Sequence, residues 1–484
     1  MRPFRISVFV AAFVVSTLPS SSLANNLEAC RVPDTKWSQV SLGFPVKKER
    51  LKYISKPKVL VIPFHPSDEP DFVFGPAEKA NFLQSAKDIN ELSLGLSQIE
   101  FVFNPTIRLG ITTSEMDNYK INAQKTYLKD FENDQFGFAL KLIQDADQGI
   151  DFTGVDSVVL YGVAKQSKQE IASALQYTSD INFVGNSNKR KDGQSWFTPI
   201  ITKEKSISNV VLMYNRSEIF VTTHELLHNY GLTDLYGASN TPAGLSRMAN
   251  ASDETLLTYE KWVLGWHPEQ DVSCVSGNDS QKISKFSFDT RGKEQIALVR
   301  PNQTDSMYVL ETSIVKKNSL LSFYKLTNDA RPPIEYYSYS SGKAGINLGD
   351  SSSIAKTYQG EQYSVLIHSI SDSLATVYVY PNSAASSTEV QKLLAEAQAD
   401  SKVVEAKLVA EQKAKQEAEA KASAELKAKQ EAEAKASAEL KAKQEADAKA
   451  AADLKAKQEA DAKAATTKKI TITCVKGKLI KKVT

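Results

Sequence analysis

The sequence contains little cysteine and little histidine, with three and five residues respectively. Three cysteines are too few for a disulfide-dense scaffold or for a Cys-rich zinc or iron–sulfur module. Because histidine is so scarce, two histidines that lie only four residues apart, His224 and His228, form a candidate functional pair.

The chain also lacks an excess of charge of either sign. Lys and Arg together number 59 and Asp and Glu 57, which gives a formal net charge of +2. Nucleic-acid-binding proteins usually carry a basic excess, so we expect no nucleic-acid partner. With 484 residues, of which 42% are hydrophobic, the chain is long enough for two or more domains with buried cores.

The first 24 residues have the pattern of a secretory signal peptide. Arg2 and Arg5 precede an apolar run, Ile6–Val15, which is too short to span a membrane. The small residues of Ser22–Ala24 place the cleavage site after Ala24. No later stretch reaches the ~18 apolar residues of a membrane helix. We therefore predict a secreted, extracellular protein, in an environment where disulfides persist.

Composition and periodicity divide the remaining chain into segments. Residues 25–275 alternate strand and helix patterns and predict an α/β domain. Short alternating runs between turn residues predict an all-β, sandwich-like accessory domain at 276–383. A repeat rich in Ala, Lys and Glu predicts a long helical tail at 384–466, and a basic segment, 467–484, follows it. The clearest predicted strands are Lys58–Phe64, Asp156–Tyr161, Asn209–Tyr214, Ile283–Phe288, Gln295–Val299, Met307–Thr312, Tyr363–Ile370 and Ala375–Tyr380, with a helix at Phe138–Ala146.

The tail repeats a 14-residue unit, of which Ser437–Ala450 is one copy. Fourteen residues are two heptads, but the copies contribute only one leucine each, at Leu426, Leu440 and Leu454. This seam is thin for a coiled coil, so we favour a solvated helical spacer and keep coiled-coil pairing as the alternative. A spacer of this kind is consistent with association with the cell surface through the tail.

The candidate metal ligands and a candidate general base lie in one segment, from His224 to Asp234. On a helix, His224 and His228 share one face and can bind the same metal ion, and Glu225 between them suits a general base. Gly231 can adopt a positive φ and turn the chain, which brings Asp234 within reach as a third ligand. Two histidines and one carboxylate leave a fourth position open, as in catalytic zinc sites.

Other acidic residues offer alternatives at this stage. Glu254 and Glu260 lie at the longer spacing found in thermolysin-like enzymes and could supply the third ligand instead of Asp234. A second cation is a weaker expectation, because Asp145, Asp147 and Asp151 alternate in a segment that only partly matches a calcium loop.

The extended motif HExxHxxGxxD resembles the metzincin pattern, and its ending in Asp-Leu-Tyr is similar to the immune inhibitor A family of secreted bacterial metalloproteases. Further segments that resemble this family are Asp151–Thr153 with Asp156, Arg247–Asn250 at the position of its Met-turn, and Tyr259–Trp266. The resemblance implies a metzincin-like fold and a zinc endopeptidase that cleaves protein or peptide substrates. It also implies that Met248 packs beneath the metal.

Three further side-chain types bear on the site. Cys30 and Cys274 flank the catalytic domain, and we expect a disulfide between them. The alternative for Cys30 is that Cys30–Asp34 resembles the cysteine-switch peptide of matrix metalloproteases. Cys474 is left without an assigned partner. Tyr236 and Tyr259 are both candidates to stabilise an oxyanion, and His267 is expected in a surface loop.

The sequence thus predicts a secreted zinc-dependent endopeptidase in which His224, His228 and Asp234 bind Zn²⁺ and Glu225 is the general base. The alternative is a surface stalk or binding protein whose protease-like head is not catalytic. The tail and the β-rich domain fit both hypotheses, and the intact motif favours the enzyme.

Overall fold

A computed structural model of the chain describes residues 27–466 with several internal gaps. The gaps are 54, 126–133, 166, 168–169, 181–188, 191–192, 216–217, 237–243, 302–304, 316–317, 332, 341–342, 349 and 372. The expected signal peptide (1–24), the basic C-terminal segment (467–484) and Cys474 lie outside the described residues. Within them, no helix is both long enough and apolar enough to cross a membrane.

The first part of the chain forms a mostly parallel sheet. Its strands are β1 (Lys58–His65), β2 (Glu100–Phe103), β3 (Ile107–Arg108), β4 (Ser157–Gly162), β5 (Ile171–Gln176) and β8 (Asn209–Tyr214). The order is β2-β1-β4-β8-β5, and β3 extends the pairing along β1. Strand β5 is antiparallel to β8 and ends this order. The central strands are apolar on both faces because helices cover both sides of the sheet.

Four helices accompany this sheet in the described residues: α1 (Pro76–Leu92), α2 (Thr113–Lys125), α3 (Gln135–Ala146) and α4 (Ile219–Tyr230). Residues of α1 and α4 pack with Val59 and Val159 on one face. Residues of α2 and α3 pack with Leu60 and Val158 on the other face. A short ribbon is made by β6 (Ile200–Ile201) and β7 (Ser206–Ile207). The predicted strands in this part and the helix at Phe138–Ala146 are confirmed, and the coarse α/β prediction holds.

The following part of the chain is rich in β-structure. One sheet contains β9 (Val272–Ser276), β11 (Gln295–Arg300), β12 (Ser306–Val315), β13 (Asn318–Thr327), β14 (Ile334–Tyr336) and β17 (Ile346–Asn347). A second contains β10 (Ser284–Asp289), β18 (Thr357–Gln359), β19 (Tyr363–Ile370) and β20 (Leu374–Pro381). A small ribbon is formed by β15 (Tyr339–Ser340) and β16 (Lys343–Ala344). The two larger sheets share a core that includes Phe288, Leu310 and Val377.

The α/β and β-rich parts are joined through a short helix, α5 (Thr258–Val263). The Thr258 hydroxyl donates to the Thr312 carbonyl at 2.7 Å, and the Tyr259 backbone N–H donates to the buried carboxyl of Glu311 at 2.7 Å. Side chains of both parts form one continuous core. The boundary predicted at residue 275 falls inside β9.

The C-terminal repeat is helical, as predicted, and forms α6 (Thr388–Thr466). In its first turns Val390 and Ala397 pack with Leu366 and Tyr380 of the second β-sheet. Among the described residues, 403–466 form a unit of their own, in which the side chains of 405–465 are exposed. The leucine of each repeat is about 60% exposed, which is the surface expected of a solvated helix.

The predicted disulfide between Cys30 and Cys274 is present. It ties the N-terminal segment to β9, and this segment continues across the end of α4. There the Ser41 backbone N–H donates to the Gly231 carbonyl at 2.9 Å, and the Leu51 N–H donates to the Asn229 carbonyl at 2.8 Å. Because the sulfur of Cys30 is bonded in this disulfide, the structure favours the structural clamp over the cysteine-switch alternative.

Candidate metal centre

Helix α4 places the two histidines of the motif on one face. His224 and His228 are one helical turn apart, and their ring centroids lie 4.9 Å from each other. Both side chains are almost fully buried. The opposite face of the helix carries Leu226, Leu227 and Tyr230 into the core. The helix that presents the imidazoles is therefore held in place by its own apolar side.

A glycine turn brings the third group to the histidines. Gly231 ends α4 with φ +111°, a conformation that favours glycine. A Cβ at this position would lie 2.7 Å from Cγ1 of Val46, so the site also lacks space for a side chain. The chain turns here and places Asp234 Oδ1 3.2 Å from Nε2 of His224 and 3.3 Å from Nε2 of His228.

Backbone carbonyls fix the orientation of both imidazoles. Nδ1 of His224 lies 2.9 Å from the carbonyl oxygen of Arg247, and Nδ1 of His228 lies 2.7 Å from that of Leu232. A carbonyl oxygen can only accept, so each Nδ1 carries the hydrogen and donates it. In the neutral ring the lone pair then lies on Nε2, which is the arrangement of metal-binding histidines with an outer hydrogen-bond partner.

These contacts make the three residues a good fit for a cation. Two Nε2 lone pairs and a carboxylate oxygen converge without a hydrogen between them, unless a histidine takes up a proton. Burial raises the pKa of Asp234, but the two imidazoles outweigh it and hold the pKa below its ordinary value. Burial lowers the pKa of His228, whereas Asp234 more than offsets this and raises it to about 9.

Among the described residues, His224, His228 and Asp234 form the one group of three or more potential ligands whose donor atoms lie within 4.8 Å of one another. The alternative ligands lie elsewhere. Glu254 is exposed. Glu260 is fully buried, where it accepts from the Ser246 hydroxyl and the Leu257 N–H, and burial raises its pKa to about 7. The structure therefore groups the two histidines with Asp234 and not with these glutamates.

The acidic segment considered for calcium makes other contacts. Asp145 pairs with Lys141 at 3.2 Å, Asp147 accepts from the backbone of Lys203, and Asp151 accepts from the N–H of Thr153. These are the contacts of a helix end and the turn that follows it, and they lend no support to a calcium site.

Glu225 lies beside an open cleft. A cavity of about 450 Å³ is lined by Gln135, Glu170, Ile171, Ala172, Ser173, Phe220, Val221, His224, Glu225, Tyr236, Asn250, Ala251 and Ser252. Burial raises the pKa of Glu225, and this shift is partly offset by His228, by His224 and by a hydrogen bond from the backbone of Ala174. A carboxylate with a raised pKa at the edge of a cavity is suited to accept and return a proton.

The two tyrosines that are candidates to stabilise an oxyanion differ in burial and in position relative to the cleft. Tyr236 is 55% exposed, lines the cleft, and stacks against His224 with ring centroids 6.3 Å apart. Tyr259 is completely buried and donates to the Leu42 carbonyl at 3.2 Å, so it does not face the cleft.

Two further residues named from the sequence are buried. The expectation that His267 lies in a surface loop was wrong, because this residue is only 5% exposed. Met248 is fully buried in the core, next to the carbonyl that contacts His224.

No protein-family model matches the sequence, and no curated protein matches it significantly. The function is therefore inferred from the geometry of the site.

The ligand set predicts how single substitutions affect metal content. The purified full-length protein should carry one zinc ion per chain. His224→Ala and His228→Ala should each abolish this content, and Asp234→Ala should lower it strongly, because each removes one of three converging donors. Elemental analysis after gel filtration measures the content directly. Glu254→Ala is the matched control and should keep its zinc. Unchanged zinc in Asp234→Ala would show that the third ligand is another residue.

Proposed function

We propose that this protein is a secreted zinc-dependent endopeptidase. The observation that carries the proposal is the convergence of two imidazole nitrogens and one carboxylate oxygen beside a cleft that also contains a buried glutamate. His, His and Asp are the donor types found in catalytic zinc sites, which keep one position open.

In the proposed hydrolysis, different residues bind the metal, transfer the proton and stabilise the oxyanion. A zinc ion held by His224, His228 and Asp234 would act as a Lewis acid on the scissile carbonyl and on the attacking water. Glu225 accepts the proton of that water and delivers it to the leaving amine, a role that its raised pKa and its place on the cleft support. Tyr236, which also lines the cleft, donates a hydrogen bond to the oxyanion that develops during attack.

The edge of the first sheet supports a peptide as the substrate. Strand β5 borders the cleft through Ile171, Ala172 and Ser173, and among the described residues it pairs only with β8. A strand with a free edge can bind an extended peptide through backbone hydrogen bonds. A peptide aligned with β5 would pass Glu225 and the candidate ligand His224, which line the same cleft.

The proposal includes membership of the metzincin-like enzymes and a resemblance to the immune inhibitor A family. It is supported by the Asp234 ligand geometry and by the segment Arg247–Asn250, in which Met248 is buried and the Arg247 carbonyl contacts His224. Secretion is supported by the Cys30–Cys274 disulfide, because such bonds persist outside the cytoplasm. The exposed repeat of α6 fits a spacer that displays the enzyme at a surface.

Removal of the general base distinguishes the enzyme hypothesis from the hypothesis of a non-catalytic binding protein. Glu225→Gln should fold and keep zinc, because Glu225 is not among the converging donors and Gln has nearly the same shape. Its hydrolysis of casein should fall by ~10²–10⁴-fold, because an amide cannot accept the water's proton. Zinc content and turnover are measured on the same preparation. Equal hydrolysis by wild type and Glu225→Gln would contradict the proposed role. If both bind zinc and neither cleaves proteins or peptides, the non-catalytic binding role is favoured.

Substitution of each of the two tyrosines by phenylalanine gives a matched pair of variants that tests which one stabilises the oxyanion. Tyr236→Phe should lower kcat by ~10²–10³-fold with little change in KM, because a hydrogen bond made mainly in the transition state is lost. Tyr259→Phe removes the bond to the Leu42 carbonyl and should lower thermal stability while leaving kcat unchanged. Steady-state kinetics on one peptide compare the two. An unchanged kcat in Tyr236→Phe would exclude Tyr236 from the reaction.

A further inference from the structure

Asp88 lies outside the motif and yet reaches the neighbourhood of the histidines. It is carried by helix α1, and its Oδ2 lies 3.1 Å from Nη1 of Arg247. Gln84 on the same helix donates to Oδ1 of Asp88 at 3.0 Å. The side chain of Asp88 is 20% exposed and that of Arg247 is 6% exposed, so this ion pair is largely shielded from water.

Arg247 is connected to the candidate centre through its backbone. Its carbonyl oxygen lies 2.9 Å from Nδ1 of His224, whose Nε2 faces Asp234. The position of this carbonyl depends on how the residue is held. Its backbone N–H donates to the Thr255 carbonyl at 2.7 Å, and its Nε donates to the Asp253 carbonyl at 2.8 Å. The third support is the contact of its guanidinium with Asp88.

Asp88 also approaches helix α4 directly. The Thr223 hydroxyl lies 3.5 Å from Oδ2 of Asp88, and Thr223 immediately precedes His224. One carboxylate thus contacts the helix that carries the ligands and the segment that orients one of them. A buried guanidinium that loses its carboxylate carries an uncompensated charge, and the segment around it must rearrange to find another partner.

We propose that Asp88 is a positioning residue for the metal centre: through its ion pair with Arg247 it fixes the carbonyl that orients His224. The proposal rests on the proposed function, since it requires that His224 binds a metal. It assigns Asp88 no contact with metal or substrate. Its effect is on the orientation of the imidazole, because the Arg247 carbonyl keeps the hydrogen on Nδ1 and the lone pair of Nε2 directed at the site.

Zinc affinity and metal spectroscopy test this role on the full-length chain. Asp88→Ala should weaken zinc binding by about 10-fold, the lower end of the cost of losing an outer partner of a ligand, because the Arg247 carbonyl that contacts His224 is displaced and not removed. Zinc affinity is measured by competition with a chromophoric chelator in a Glu225→Gln background, which prevents self-digestion. Cobalt is then substituted for zinc, and its visible absorption bands should shift in Asp88→Ala because the donor geometry has changed.

The matched control is a comparably buried ion pair whose residues are neither candidate ligands nor part of the cleft lining. Lys261 and Glu294 are 2.7 Å apart, and their side chains are 8% and 13% exposed. Glu294→Ala should lower thermal stability as Asp88→Ala does, but it should leave zinc affinity and the cobalt spectrum unchanged. If both variants lose zinc affinity equally, the effect is a general loss of stability and the proposal is overturned.

The remaining outcomes distinguish this inference from the proposed function. If wild type binds no zinc, the proposed function fails. If wild type binds zinc and Asp88→Ala binds it equally well with the same cobalt spectrum, only the positioning role fails. Should Asp88→Ala not fold, Asp88→Asn replaces it, because the amide keeps the shape of the side chain but removes the charge that pairs with Arg247. The same loss of zinc affinity is expected, and an unchanged affinity overturns the proposal.

Discussion

The candidate centre depends on one constraint, the fixed orientation of two imidazole rings. Each Nδ1 donates to a backbone carbonyl, that of Arg247 for His224 and that of Leu232 for His228, so both Nε2 atoms are directed at Asp234. Without these carbonyls the rings could rotate or exchange their proton, and the three donors would not converge. The helix supplies the spacing of the rings, and the turn at Gly231 supplies both the Leu232 carbonyl and the approach of Asp234.

The rest of the fold holds the elements that carry these groups. Helices α1 and α4 pack on the same face of the first sheet, and the N-terminal segment bonds to the end of α4 through Ser41 and Leu51. The Cys30–Cys274 disulfide fixes the start of that segment to the β-rich part. The buried hydrogen bonds of α5 to Glu311 and Thr312 connect the same β-rich part to this helix, which follows the segment that contains Arg247. The exposed part of α6 has no comparable apolar surface and forms its own unit.

Local patterns in the sequence were enough to predict much of this arrangement. Apolar runs such as Lys58–Phe64 predicted the central strands, and the spacing of His224, His228, Gly231 and Asp234 predicted the cluster, because both depend on residues close in sequence. Strand β13 was not predicted, although it pairs along the whole of β12. Asp88 was also missed, because it meets Arg247 only through a contact between residues 159 positions apart. Such pairs are decided by how helices and loops pack, which no local pattern encodes.

The central claim is that these three residues hold one zinc ion beside Glu225. Anomalous diffraction from crystals of the full-length protein, recorded on both sides of the zinc absorption edge, tests it most directly. We expect a single strong peak about 2.0–2.2 Å from Nε2 of His224, Nε2 of His228 and a carboxylate oxygen of Asp234, the usual bond lengths of zinc to nitrogen and oxygen. A peak at Glu254 or elsewhere, or no peak after zinc is added, would contradict it.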